Sequence, residues 1–333
     1  MRTAVIGAGS WGTALAQHLG LKGFPVRLWV HDAGRAKEMA EVRENRAYLP
    51  GIRLVDGVAI THQLGEALDK AELVLEVVPS HAVRAVMREA AQFMHPGAPI
   101  VTCSKGIEND SLMTMLEVLE DVLPVPLHPY LAVLSGPSFA LELVRQMPTA
   151  VSVAARWERV AREVQAAFTS SSFKVYTSID VVGVELGGAV KNVIAVGAGI
   201  AEGLGYGDNT RAAIITRGLV EISRLAVRKG ANPLTVSGLS GMGDLVLTCT
   251  GELSRNRRVG FDLGRGKALA EILGDMEMVA EGVKNARSVH QLADKLKVEV
   301  PICQAVYGVL YEGLSPKDAV VQLMGRAPSA EFS

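Results

Sequence analysis

The sequence predicts an α/β fold: a doubly wound, mostly parallel sheet followed by an all-α C-terminal domain. Three observations predict it. Short β-branched runs alternate with helix-period stretches through the first half of the chain. A glycine pattern, Gly7, Gly9 and Gly12, sits where the first run hands over to a helical stretch. After about Ser178 strand patterns stop, and apolar residues recur only at helical spacing. A chain of 333 residues suits two domains, here 1–179 and 180–333.

Taken in order, residues 3–6, 26–30, 73–78, 100–103, 130–134, 150–153 and 173–176 read as buried strands. Between them, 13–21, 82–93, 112–119 and 158–168 carry helical spacing. The second half reads as helices over 182–201, 211–228, 254–263, 283–296 and 302–310, with 327–333 as a frayed end. No 20–50-residue period repeats, so a solenoid is excluded.

Composition excludes several classes. A formal net charge of −1 leaves no global field to draw the chain to nucleic acid or anionic lipid. Cys103, Cys249 and Cys303 form no metal-ligand spacing, so reduced buried thiols, a cytoplasmic setting and no metal are expected. The N-terminus resembles a short signal peptide, but Gly7, Gly9, Ser10 and Gly12 interrupt it and suit a nucleotide fingerprint better. Residues 186–201 are apolar enough to suggest a membrane span. They are short for one and include Lys191 and Asn192, so a buried helix is the expectation.

The stretch Gly7-Ala8-Gly9-Ser10-Trp11-Gly12 predicts a Rossmann-type dinucleotide site. Gly7 makes the tight turn, Gly9 admits the pyrophosphate, and Gly12 lets helix and strand pack closely. The helix start then offers N–H groups to the phosphates. At the second strand end, His31 and Asp32 stand near Arg35. An acid there favours a free ribose 2′-hydroxyl and a base favours a 2′-phosphate. The mixture points to NADP with NAD tolerated.

Chemistry is expected outside the C-terminal strand ends. Two loops there carry suitable groups, Ser104-Lys105-Gly106 and Ser135-Gly136-Pro137-Ser138. Lys191 is the only charged side chain between Glu185 and Glu202, with Gly187 and Gly188 leaving space on its face. A desolvated lysine near another cation loses its proton readily and suits a general base. Ser254 is a candidate N-cap, making a helix start with Arg255 and Asn256 an anion site.

Together these motifs resemble the bacterial-type NAD(P)-dependent glycerol-3-phosphate dehydrogenases. The resemblance covers nearly the whole chain. It rests on residues 7–16 (GAGSWGTALA), 104–107 (SKGI), 134–140 (LSGPSFA), 185–192 (ELGGAVKN), 205–212 (GYGDNTRA), 241–245 (GMGDL), 254–257 (SRNR) and 279–282 (VAEG). It implies reversible hydride transfer between NAD(P)H and dihydroxyacetone phosphate, supplying glycerol phosphate for phospholipid synthesis. It implies Lys191 as proton acceptor and Lys105 as a substrate-orienting, charge-stabilising partner that also lowers the Lys191 pKa. Gly136, Ser138, Asn192, Asp244 and Thr248 would line the substrate pocket, while Ser254, Arg255 and Asn256 hold the phosphate. Ser10, Trp11, His31, Tyr48, Lys105, Ala140, Arg255, Val279 and Glu281 would touch the cofactor. The partner is a small phosphate substrate, with no nucleic acid and no membrane span, and a homodimer is left open. Rival readings are a dehydrogenase for a β-hydroxyacid or sugar nucleotide, and a non-catalytic dinucleotide sensor.

Overall fold

A computed structural model describes residues 1–276, 279–327 and 330–331. Positions 328, 329, 332 and 333 of the stretch read as frayed lie outside that description. The strands are β1 (Thr3–Ile6), β2 (Val26–Trp29), β3 (Glu44–Asn45), β4 (Leu49–Arg53), β5 (Val58–Thr61), β6 (Leu73–Glu76), β7 (Ile100–Thr102), β8 (Leu131–Ser135), β9 (Thr149–Ala154) and β10 (Phe173–Ser178). Eight of them form one sheet in the order β10-β9-β8-β7-β6-β1-β2-β5. Only the β8–β9 pair is antiparallel. The chain winds outward from β1 through β2 to β5, then returns to β6 on its other side. That reversal opens a crevice at the C-terminal ends of β1 and β6.

All seven expected strands are present, with ends moved by two residues at most. β5 and the separate β3–β4 ribbon escaped the sequence reading. β5 is the sheet edge, and only Val58 and Thr61 of its four residues are buried. β4 is largely exposed and carries Pro50 and Gly51, which argue against a strand. The helix expected at 112–119 is Met115–Val122 instead. Thr114 and Glu117 form a capping box that starts it there.

Apolar clusters cover both sheet faces, one around Val5, Leu15, Leu28 and Phe168, the other around Ile6, Met87 and Leu119. A third surrounds the helix Val181–Gly203. That helix has the length and hydropathy of a membrane span, yet 89% of its most apolar window is buried inside the protein. It is wrapped by the helices Asp208–Arg228, Arg255–Gly264, Glu281–Leu296 and Pro301–Tyr311. Glycines set its closest crossing. A Cβ on Gly199 would stand 2.0 Å from the Arg257 carbonyl oxygen, and one on Gly260 2.0 Å from that of Val196. The two backbones therefore touch, which brings the start of Arg255–Gly264 alongside Lys191 and Asn192.

Polar side chains bind the helical part to the sheet. Buried Glu185 accepts hydrogen bonds from the Leu116 N–H (2.7 Å) and the Thr114 hydroxyl (2.8 Å). Lys229 pairs with Glu117 at 2.8 Å. The three cysteines are buried free thiols.

Candidate active site

Two cavities meet at the crevice. One runs along the C-terminal ends of β1, β2, β6 and β7, past Gly9, His31, Arg35 and Tyr48 to Lys105. The other lies between the sheet and the helices and is lined by Lys105, Ser138, Lys191, Asp244, Thr248 and Ser254 among others. Both are lined by Trp11, Cys103, Lys105, Arg255, Val279 and Glu281, so they adjoin along a shared wall.

The fingerprint glycines differ in what they permit. Gly7 holds φ +115°, and a Cβ there would press to 2.6 Å from the Val77 carbonyl oxygen. A Cβ on Gly12 would lie 1.9 Å from the Gly7 oxygen, so helix and turn interlock. A Cβ on Gly9 would meet nothing within 4 Å and would project into the open crevice. The helix Ser10–Leu21 begins at that cleared spot, so its dipole and N–H groups suit a pyrophosphate. At the far end, Asp32 caps the helix Ala33–Val42 by accepting the Arg35 N–H at 2.7 Å. Arg35 donates to the Tyr48 hydroxyl at 2.8 Å and lies 4.8 Å over its ring. His31 packs edge-on against Trp29.

One carboxylate organises the other cavity. Asp244, 2% exposed, accepts from Lys191 Nζ at 2.7 Å and from Lys105 Nζ at 2.6 Å. Lys191 also donates to the Thr248 hydroxyl (2.7 Å), and Lys105 to the Gly136 carbonyl (3.0 Å). Burial is the main cause that lowers the Lys191 pKa from 10.5 to about 8; Asp244 opposes it and the Lys105 charge adds to it. Both causes expected from the sequence act, and burial outweighs the Lys105 charge. The space expected beside Lys191 is filled as well. Cβ atoms on Gly187 and Gly188 would lie 2.6 Å from the Ser240 carbonyl oxygen and the Ser135 hydroxyl. Those glycines let loops pack against the helix.

Asp244 reaches this point through a π turn, Leu239–Gly243, in which a Cβ on Gly241 would lie 1.8 Å from the Val236 oxygen. Thr248 follows one turn later on the same face. Ser254 caps Arg255–Gly264, accepting the Arg257 N–H at 3.2 Å. The Asn256 carboxamide donates to Asn192 (2.9 Å) and accepts from the Gly282 N–H (2.9 Å), fixing Asn192 at the cavity wall. Arg255 donates to the Val279 carbonyl (3.1 Å) and lines both cavities. Glu281 is held by the Ser80 hydroxyl and N–H at 2.6 and 3.1 Å.

Gly136 and Ala140 line neither cavity. Gly136 stands behind Lys105, holding its ammonium through the backbone carbonyl. Ala140 is half-buried and packs against the apolar cluster that contains Leu15 and Leu143. Sequence reasoning missed Phe139, Leu247 and Leu253 on the substrate-side wall, and buried Glu76 behind the Ser104 loop. Glu76 had a signal, an isolated acid in an apolar strand, of the same kind that marked Lys191. Among the described residues, no three His, Cys, Asp or Glu side chains group as a metal site.

Comparison with known proteins gives a consistent family. A pattern described as NAD-dependent glycerol-3-phosphate dehydrogenase N-terminus matches residues 2–161, and its C-terminus counterpart matches 180–321. The chain is 58% identical to glycerol-3-phosphate dehydrogenase [NAD(P)+] of Anaeromyxobacter dehalogenans over 100% of both chains. It is also 58% identical to the enzyme so named in Myxococcus xanthus, covering 100% of this chain and 99% of that one. The crystal structure of glycerol-3-phosphate dehydrogenase from Coxiella burnetii superposes with a TM-score of 0.93 at 39% identity, covering 98% of this chain and 99% of that chain.

Proposed function

The chain belongs to the NAD-dependent glycerol-3-phosphate dehydrogenase family, and from that premise we infer how its site works on dihydroxyacetone phosphate and sn-glycerol 3-phosphate. It is an NAD(P)-dependent oxidoreductase. The observation that carries the mechanism is Asp244 holding Lys105 and Lys191 together beside the helix start at Ser254.

Bound NAD(P)H supplies the hydride that the carbonyl carbon receives. Lys191, with its pKa drawn to about 8, gives its proton to the forming C2 alkoxide and takes it back in the oxidising direction. Lys105 keeps a positive charge near that oxygen and stabilises it. Arg255, the Ser254 hydroxyl and the N–H groups of the helix start hold the phosphate, so the remote group orients the reacting carbon. Asp244 sets the spacing of the two ammonium groups, and Thr248 orients Lys191.

NADPH is the favoured cofactor in this reading. The Asp32 carboxylate accepts the Arg35 N–H as a helix cap, which leaves the Arg35 cation as the group to meet a 2′-phosphate. Three free buried thiols support a cytoplasmic setting, and the product suits phospholipid supply. We treat 1–179 as the cofactor domain and 180–333 as the substrate domain. The test is a pair of initial-rate series with dihydroxyacetone phosphate, one with NADPH and one with NADH. Binding of NADPH without its consumption would sink the catalytic reading. Equal rates on unphosphorylated ketoacids would favour a β-hydroxyacid dehydrogenase.

A further inference from the structure

We propose that Glu76 is a positioning residue for Lys105, acting through the Ser104 hydroxyl; this rests on the functional reading above and extends it. Glu76 ends β6 and is 0% exposed. Its Oε1 accepts the Val78 N–H at 2.8 Å and lies 2.6 Å from the Ser104 hydroxyl, whose one proton it shares with the Val78 carbonyl oxygen, while Oε2 accepts the Thr102 hydroxyl at 2.7 Å. One carboxylate thus ties the end of β6 to the end of β7 and to the residue immediately before Lys105. Val78 and Ser104, which it grips, both line the cofactor crevice.

The β6–β7 ladder does not need this group, because backbone pairing from Val74 to Glu76 already joins the strands. The preceding strand residues Leu73, Val74 and Leu75 are apolar and buried, so an apolar side chain would suit the core here. Burial instead pushes the Glu76 carboxyl up to about 7, and the nearby Glu281 charge acts in the same direction. A costly buried acid is retained where its hydrogen bonds shape a loop. Lys105 has a long flexible stem, and its Nζ is held at the tip by Asp244 and Gly136. Glu76 holds the other end of that stem through the backbone. Misplacing a charge-stabilising group by about 1 Å costs roughly 100-fold in rate.

The experiment is a double-mutant cycle in the full chain: wild type, Glu76→Ala, Lys105→Ala and the double variant, with Glu76→Gln alongside. The readouts are kcat and KM for dihydroxyacetone phosphate at saturating NADPH, normalised to the fraction of protein that binds NADPH. Glu76→Ala is expected to lower kcat about 30-fold, and in the Lys105→Ala background to cost less than about 3-fold. Glu76→Gln keeps an acceptor for Ser104 and Val78 and is expected to stay within about 5-fold of wild type. Equal losses in both backgrounds, or an unchanged kcat in Glu76→Ala, overturn the proposal. Should Glu76→Ala fail to fold, Ser104→Ala breaks the same link and enters the cycle in its place. A second readout needs no turnover: the rate of Lys105 acetylation, followed by mass spectrometry. It should rise in Glu76→Ala or Ser104→Ala and stay at the wild-type rate in Glu76→Gln. An unchanged Lys105 rate in the alanine variants overturns the positioning role even if the assumed substrate is wrong, while absent wild-type turnover with a raised Lys105 rate counts against the substrate alone.

Discussion

Replacing Lys191 with methionine removes the ammonium and keeps most of the side-chain volume. The wild-type lysine titrates at about 8 in the folded protein against 10.5 when exposed. A pKa depressed that far means the protonated form opposes folding by about 3 kcal/mol. Below pH 8 that penalty is present in full. Between 8 and 10.5 the unfolded chain binds more protons than the folded one, so stability rises with pH as the penalty fades. Lys191→Met has no such term, but it leaves Asp244 Oδ1 and Thr248 without their lysine donor, a loss of about 1–2 kcal/mol. The net expectation at pH 7 is a variant more stable by about 1–2 kcal/mol, with turnover lower by about 10²–10⁴. Urea unfolding of both proteins from pH 7 to 10.5, read as the difference in stability, isolates this residue. The wild type should gain on the variant steadily above pH 8. A difference that stays flat across the range would refute a burial-depressed Lys191. Near-wild-type turnover in Lys191→Met would remove it from the mechanism.

Asp244→Asn takes away the charge that supports both ammonium groups, so Lys191 should lose its proton below its present value of about 8. The acid limb of kcat/KM for glycerol 3-phosphate oxidation should then move to lower pH, and an unmoved limb would contradict the bridging role. Arg255→Ala should raise KM for dihydroxyacetone phosphate about 10–100-fold by deleting a charge-assisted phosphate contact. Rates with unphosphorylated dihydroxyacetone should change little, and a parallel loss would count against a phosphate handle. Arg35→Ala should raise KM for NADPH about 10-fold and leave NADH within about 2-fold; equal effects would separate Arg35 from the 2′-phosphate. Gly12→Ala forces a Cβ to within 1.9 Å of the Gly7 oxygen. It should cost about 1–3 kcal/mol of stability and weaken both cofactors, as thermal melts and NADPH titration would report.

Much of this protein was legible in its residues alone. Burial leaves a period in the chain, so β1 (3–6) and the helix Glu158–Phe168 are readable to the residue. Gly7 and Gly12 announce a turn because only a residue without Cβ fits there. Lys191 stands out because a lone charge in an apolar helix is costly. The second-half helices follow from the same period, although short ones such as Asp244–Thr250 carry too few turns to reveal it.

Partner choice was not legible. Asp244 meets Lys191 across 53 residues and Lys105 across 139, and no local pattern records such distances. Glu185 and Glu221 are plain acids in sequence, yet in the fold Glu185 accepts the Leu116 N–H and Glu221 those of Ile302 and Cys303, each at the start of a helix far along the chain. The tertiary structure decided these pairings through close backbone approaches, such as Gly187 against the Ser240 carbonyl in the turn that leads to Asp244. Periodicity records which face of a segment is buried. Which side chains then share the buried space depends on how closely the backbones approach, and that is settled only when the whole chain has packed.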